Sequence, residues 1–464
     1  MSQTNPVVAK VLDQVDSNLE LSLARLFEWL QIPSISTDTA YRADCVRAAE
    51  WLNKELSGLG FDAKVCPTEG NPIVMGHARR TDKPNVLFYG HYDVQPVDPL
   101  ELWDTPPFEP VMITLPDGRK AIRARGACDD KGQVMTFVEA CRAWKAVTGE
   151  LPIGITALVE GAEEDGSQFL PEFVEAHKEE LKADLGLVCD TGMWDSDTPA
   201  ITSSLRGLLY YEIIIRAADM DLHSGHFGGA AKNPIRILSN IITDFHDENG
   251  RVTIPGFYEG VPEIPADILK QWEGLNLDAE SFLGPIGLKE PAGEKDKMII
   301  EQIQSRPTCD VNGIIGGYTG EGTKTVIPSE ARCKISFRLV GDQDPDKITA
   351  AFDEFVKARV PSDCKLEIIH YKGSRALALP YDMPALGAAR SALKDEWGVD
   401  AVMIGTGGSI PIVGDFKSML GLDSLLVGFS LDDDRVHSPN EKYDLKSFHK
   451  GIRSWVRILA ALAE

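Results

Sequence analysis

The chain has 464 residues, 43% hydrophobic and 25% charged, an ordinary globular balance whose length suggests two or three domains and a large core. Lys and Arg number 47 against 71 Asp and Glu, and the net charge of −24 argues against nucleic acid or an anionic membrane as partner. The start lacks a basic region followed by an apolar core, and no stretch approaches the roughly 20 apolar residues that span a bilayer, so a cytoplasmic protein is expected.

Apolar positions at Val8, Val11, Leu12, Val15, Leu19, Leu23, Phe27 and Leu30 repeat at helical spacing before Pro33 and predict one long helix or two. A helix over 43–59 ends at Gly60. Strands are expected over 65–75 and 85–89, the second a short buried run closed by Gly90. Next come a helix over 133–144, a strand over 153–159, a helix over 171–181 and a strand over 185–189, the alternation of a layered α/β domain. From Arg206 the pattern changes. Strands over 208–215 and 364–371 and one or two strands over 326–340, with helices over 233–246 and 345–360, suggest a βαββαβ, ferredoxin-like α+β domain interrupted by a Pro/Gly-rich insertion at about 250–320. The first rhythm resumes at Pro384 with a helix over 385–397, strands over 401–404 and 424–428, and a last helix over 445–463. We therefore expect a discontinuous α/β domain, 1–205 and 384–464, with 206–383 inserted into it. The 8 cysteines are dispersed without a C-x-x-C pair and read as reduced core residues.

Residues that bind metals fall where strands give way to loops. His91 and Asp93 follow VLFYG, the acidic run EGAEEDG follows the strand over 153–159, Asp190 follows the strand over 185–189, and His437 follows an Asp-rich loop near the end. Asp129, in RGACDDKG, stands at a helix entrance, where a carboxylate is either an N-cap or a ligand. Loops at the carboxyl ends of strands are where open α/β sheets place functional groups. Adjacent carboxylates such as Glu163 and Glu164 repel each other unless they are solvated or held by a cation. Nitrogen and oxygen donors without thiolates suit zinc, and a shared carboxylate suits a pair of ions.

The ordered motifs GHYDVQP, RGACDDKG, EGAEEDGS, CDTG, DLHSGHFGG, KTVIPSE, GTGGSIP and VHSPNE resemble those of the dinuclear zinc peptidase family that includes carnosinase, cytosolic dipeptidase, acetylornithine deacetylase, succinyl-diaminopimelate desuccinylase and carboxypeptidase G. LFEWLQIPSIS, GFYEGV and the long insertion are similar to the carnosinase-like dipeptidase branch. The resemblance implies a three-layer α/β/α zinc-peptidase domain with an inserted lid and dimerisation domain. It implies two Zn2+ per subunit, with Mn2+ or Co2+ as substitutes. Asp129 would bridge the ions, His91 and Asp190 would complete one, and Glu164 and His437 the other. Asp93 would orient His91, Glu163 would be the general base, and the Asp129–Asp130 peptide would be cis. His223, Thr325, Arg338, Gly408 and Ser409 would bind substrate, with Arg338 on its C-terminal carboxylate and His223 serving the partner subunit of a homodimer. Asp165 and Cys128 depart from the residues usual at their positions, and neither change removes a ligand.

The activity implied is hydrolysis of the amide bond of dipeptides or short peptides by a metal-activated water. An N-acyl-amino-acid deacylase would need the same groups, and a non-catalytic binding module of the same fold would be expected to have lost some of them.

Overall fold

The computed structural model describes residues 5–406 and 411–464. The chain forms two compact units, Met1–Ser203 with Leu379–Ile404 and Ile412–Glu464, and Ser204–Ala378, to which Gly405 and Thr406 also belong. The attachment of Gly405 has a local cause, since its backbone N–H donates to Gln304 Oε1 at 3.0 Å.

In the first unit the sheet runs in the order Asp62–Cys66, Ile73–Ala78, Gly154–Glu160, Asn85–His91, Leu185–Val188, Ser424–Leu426 and Ala200–Leu205. Gly154–Glu160, Asn85–His91, Leu185–Val188 and Ser424–Leu426 are parallel to their neighbours in this series. Their carboxyl ends therefore lie along one edge. Every residue of Gly154–Glu160 and Leu185–Val188 is buried, as expected of parallel strands covered on both faces. One cover is a group of helices, Pro6–Ser17, Lys131–Thr148 and Leu445–Ala461, whose Phe137 stacks on Phe88 of the sheet at 3.7 Å while Trp455 meets both rings edge-on. Lys131–Thr148 ends at Gly149, whose φ of 79° supplies the left-handed cap.

Several local expectations are corrected. The run 65–75 is two antiparallel strands, Asp62–Cys66 and Ile73–Ala78, because Thr68 Oγ1 accepts from Gly70 N and donates to Asn71 O, closing a turn between them. The helix over 171–181 is the shorter Leu170–Ala176. A hairpin not among the expected elements, Val111–Thr114 with Lys120–Arg123, is present, and Lys442–Asp444 adds a third strand to it. Asp117-Gly118 between the two short apolar runs was its signal.

The second unit has a four-stranded antiparallel sheet in the order Thr308–Gly316, Glu330–Leu339, Gly207–Arg216 and Lys365–His370. With helices Pro234–Thr243 and Pro345–Lys357 this is the ferredoxin-like βαββαβ arrangement. The strand Thr308–Gly316 lies within the stretch read as a Pro/Gly-rich insertion, where no strand is expected. It is an outer strand with several exposed side chains, so its sequence lacks a clean buried alternation. The same stretch also holds the helices Ala266–Glu273, Ala279–Leu283 and Ile299–Gln304. The stretch 326–340, expected to hold one or two strands, holds two, Val326–Ile327, paired with Leu222–His223, and the separate Glu330–Leu339. The core centres on Phe352, stacked on Tyr211 at 4.5 Å and meeting Phe337 edge-on at 5.4 Å. GFYEGV docks through Phe257, buried in this core, and through Gly260, where a side chain would strike the Asp342 backbone at 2.6 Å.

Candidate metal centre

Each strand of the parallel set delivers one part of the site at its carboxyl end. Asn85–His91 ends in His91, which is fully buried. Gly154–Glu160 runs into the single turn Glu163–Asp165, and Leu185–Val188 leads to Asp190. Asp129 precedes the helix Lys131–Thr148, and the Asp129–Asp130 peptide is cis. After Ser424–Leu426 the chain reaches His437 through a loop with left-handed φ at Arg435 (56°), His437 (61°) and Asn440 (65°). Asn440 secures that loop by accepting from Asp104 N at 2.8 Å and donating to Leu102 O at 2.9 Å.

Asp129 is the meeting point. Its Oδ1 lies 3.1 Å from His91 Nε2 and its Oδ2 3.0 Å from His437 Nε2. His91 Nε2 is also 3.9 Å from Asp190 Oδ2, and His437 Nε2 is 3.1 Å from Glu164 Oε2. The result is two triads, His91–Asp129–Asp190 and Asp129–Glu164–His437, each with its donor atoms within 4.8 Å of one another and with Asp129 common to both.

Asp93 acts at two places. Its carboxylate accepts from the backbone N–H groups of Glu163 and Glu164 at 3.2 and 3.0 Å, which fixes the acidic turn. His91 Nδ1 is 3.1 Å from the Asp93 carbonyl and 3.4 Å from its Oδ1, so both tie down the imidazole. Gln95 Nε2 donates to Glu164 Oε2 at 2.7 Å. Glu163 makes no side-chain hydrogen bond among the described residues.

The electrostatics ask for cations. Burial first, and then repulsion from Asp129 against attraction to His91, raises Asp190 to about 7. Burial, with Asp190, Asp93 and Asp129 opposing the pull of His91, raises Glu163 to about 7. Glu164 is raised by burial and by Asp129, and Asp130 by burial and Asp190. His437 is pushed up to about 10 by its hydrogen bonds to Asp129 and Glu164. Both imidazoles together do not compensate this many buried carboxylates, whereas one divalent cation per triad does. The donors are imidazole nitrogens and carboxylate oxygens, a set that takes zinc and tolerates manganese or cobalt.

Several supporting residues carried no readable signal of their role. Glu441, completely buried, accepts from Cys128 N (2.9 Å) and Asp129 N (3.1 Å) through Oε1, and from Gly126 N (2.9 Å) and Arg125 Nη1 (2.7 Å) through Oε2. It stands four residues after His437, so one carboxylate joins the segment carrying His437 to the loop carrying Asp129. Gly132 allows that loop to fold back, since a side chain there would lie 1.8 Å from Ala127 O. Asp434 accepts from Leu431 N at 2.7 Å and takes the Cys128 thiol and Lys442 as partners.

The expected substrate residues lie elsewhere in the chain. In the second unit His223 is exposed, with Nδ1 accepting from Gly225 N at 3.0 Å, and Thr325 O accepts from Ser224 N, so these two are neighbours. Arg338 is half-buried on Glu330–Leu339. Gly408 and Ser409 lie outside the described residues.

A carboxylate-bridged pair of triads on the carboxyl edge of a parallel sheet is the constellation of a two-metal hydrolase. The chain belongs to the peptidase family M20/M25/M40, whose profile matches residues 87–461. It is 30% identical to the Cys-Gly metallodipeptidase DUG1 of Saccharomyces cerevisiae over 98% of both chains. It is 27% identical to the human Beta-Ala-His dipeptidase over 99% of this chain and 93% of the relative. Among solved structures, the metallo-carboxypeptidase Sso-CP2 from Sulfolobus solfataricus matches with a TM-score of 0.75 at 31% identity, covering 95% of this chain and 99% of that one.

Glu441→Gln tests the support of the centre. An amide cannot accept from donors on both of its ends, so a buried donor is left unpaired at a cost of about 1–3 kcal/mol. The variant should unfold at lower urea and retain less Zn2+ after dialysis than wild type. An unchanged midpoint with unchanged metal content would mean that Glu441 does not hold the Asp129 loop.

Proposed function

We propose that this protein is a dinuclear-zinc dipeptidase that hydrolyses the amide bond of a dipeptide or short peptide bearing a free C-terminal carboxylate. The observation that carries this reading is the pair of triads sharing Asp129, with Glu163 beside them and outside both. His91, Asp129 and Asp190 hold one ion and Asp129, Glu164 and His437 the other, Zn2+ by preference. When bound, the metals supply Lewis acidity, polarising a carbonyl and easing deprotonation of water. Glu163 takes the proton of the attacking water as the C–O bond forms and the carbonyl becomes an oxyanion, and then gives that proton to the amine nitrogen as the carbonyl re-forms and the C–N bond breaks. Freedom from hydrogen bonds suits Glu163 to that work. Asp93 keeps Glu163 in place through its backbone N–H and keeps the imidazole of His91 oriented.

Arg338, with Thr325, Gly408 and Ser409, binds the C-terminal carboxylate, a task for which the guanidinium fork is shaped. His223 donates to the developing oxyanion in the partner subunit of a homodimer built on the second unit. The strand Thr308–Gly316 supports that assembly: it is an outer strand, and Ile314 and Ile315 on it are 59% and 60% exposed. All eight cysteines are unpaired, which suits a reducing compartment such as the cytoplasm. No helix among the described residues is long and apolar enough to cross a membrane.

The names of the relatives favour a dipeptidase over the second reading, an N-acyl-amino-acid deacylase that needs the same metals, base and Arg338. A panel separates the two. Dipeptides such as Cys-Gly and β-Ala-His should be hydrolysed at least about tenfold faster, as kcat/KM, than N-acetyl and N-succinyl amino acids, and the reverse order would make the enzyme a deacylase.

Glu163→Gln should leave close to two metal ions per chain while kcat falls by about 10²-fold or more, as for loss of a general base. Loss of one metal in this variant, with full metal in Glu164→Gln, would reverse the two assignments.

For His223 the measurement is complementation. His223→Ala and Glu163→Gln subunits, each inactive alone, should regain activity when mixed, because a hybrid dimer has one site with both residues intact. Hybrids that form and stay inactive would show that His223 does not act across the dimer.

A further inference from the structure

Arg206 stands at the start of the second unit and is 8% exposed. Its Nη1 donates to Ile303 O at 3.0 Å, and its Nη2 donates to Arg306 O and to Thr308 Oγ1, both at 3.2 Å. Its Nε is buried with no hydrogen-bond partner. Among the described residues it forms no ion pair. A buried guanidinium facing only carbonyl and hydroxyl dipoles is costly, because neutral oxygens do not offset its charge.

Arg338 lies next to it. Arg338 pairs in register with Thr308 on one side and Leu208 on the other. Directly paired residues of antiparallel strands project from the same face with Cβ atoms about 4.5–5.5 Å apart. The hydroxyl that Arg206 grips therefore sits beside the Arg338 side chain, and the two guanidinium groups occupy one face of the sheet around Thr308. The Arg338 side chain has no hydrogen bond or ion pair among the described residues. Burial, followed by the charge of Arg338, lowers Arg206 to about 10, as expected of two cations without an anion between them. Asp310, exposed and two residues further along the strand from Thr308, is the one acid that partly offsets Arg206, and it pairs with neither arginine.

We propose that Arg206 and Arg338 form a two-cation subsite for the C-terminal carboxylate of the substrate, in which Arg338 meets the carboxylate while Arg206 holds Thr308 alongside and adds a second positive charge. This rests on the reading of Arg338 as the carboxylate clamp. Arg206 is a positioning residue. Its charge attracts the ionised carboxylate and does nothing for a neutral C-terminal amide, so the subsite separates acid from amide more sharply than one arginine would.

The experiment uses the full-length, zinc-loaded enzyme and compares KM for one dipeptide with Ki for the same dipeptide as its C-terminal amide. Arg206→Gln keeps side-chain donors for the carbonyls but removes the charge. It should raise KM for the acid roughly tenfold, the scale of one unit charge acting at ~10 Å through a partly solvated protein, with kcat and the amide Ki within about twofold of wild type. Arg206→Lys should retain most of the preference for the acid. Asp310→Asn, on an exposed position that tolerates substitution, should lower KM for the acid alone, and it decides the matter if Arg206→Gln does not fold. Equal changes for acid and amide in Arg206→Gln, identical behaviour of the Gln and Lys variants, or no effect of Asp310→Asn would leave Arg206 a purely structural tie. Arg338→Ala separates the two levels. If it leaves the acid-to-amide ratio unchanged, the clamp itself is misassigned, whereas a collapsed ratio in Arg338→Ala with an unchanged one in Arg206→Gln overturns only the second cation.

Discussion

The bond network of the Glu441 carboxylate is the constraint on which the centre depends. Asp129 reaches His91 through one oxygen and His437 through the other, and such a double reach is possible only if the loop Arg125–Asp129 is held in one place. Glu441 does this by accepting from three backbone N–H groups and from Arg125, all of them buried. A buried carboxylate is costly by itself, and these donors are what make it tolerable. The same carboxylate fixes its own segment, which is how a histidine more than 300 residues beyond Asp129 arrives within 3.0 Å of it.

Around this clamp the acidic groups are arranged in layers of decreasing satisfaction. Glu441 and Asp93 have their oxygens occupied by backbone donors and act as scaffold. Asp129 is shared between imidazoles, which hold it well below the usual carboxylate range in spite of burial. Glu164 keeps one donor from Gln95 and the His437 contact, and Asp190 and Glu163 are left nearly bare. The gradient runs from structural carboxylates to those with free lone pairs, and free lone pairs in a buried site are what divalent cations and transferable protons require.

The residues gathered into the two triads stood out as candidates in the sequence because most follow a strand end that combines a short apolar run, a small residue and a side chain able to bind a metal. His91 after VLFYG and Asp190 after LGLVC are local patterns that a single sequence displays. Supporting residues are not legible in that way. Glu441 ends the motif VHSPNE with no role of its own marked there, and its burial follows from contacts with residues 125–129 that no local pattern encodes. The strand Thr308–Gly316 was missed for a related reason. An outer strand with one side turned to solvent carries no sustained alternation, and its pairing with Glu330–Leu339 is decided by the partner strand.

Arg206 and Arg338 illustrate the opposite case, in which sequence singled out one residue and geometry supplies the other. A lone arginine within ISFRLV stands out as a charge in an apolar strand, whereas Arg206 in SSLRG looks like a residue leaving a strand for a turn. Only the register of the sheet, which sets Arg338 opposite Thr308, and the hydrogen bond from Arg206 to that same threonine bring the cations to one place. Like charges gathered with so few acids nearby oppose folding, and a structure keeps such an arrangement when a ligand of opposite charge makes use of it. The same reasoning holds with opposite sign at the metal centre, where carboxylates outnumber imidazoles.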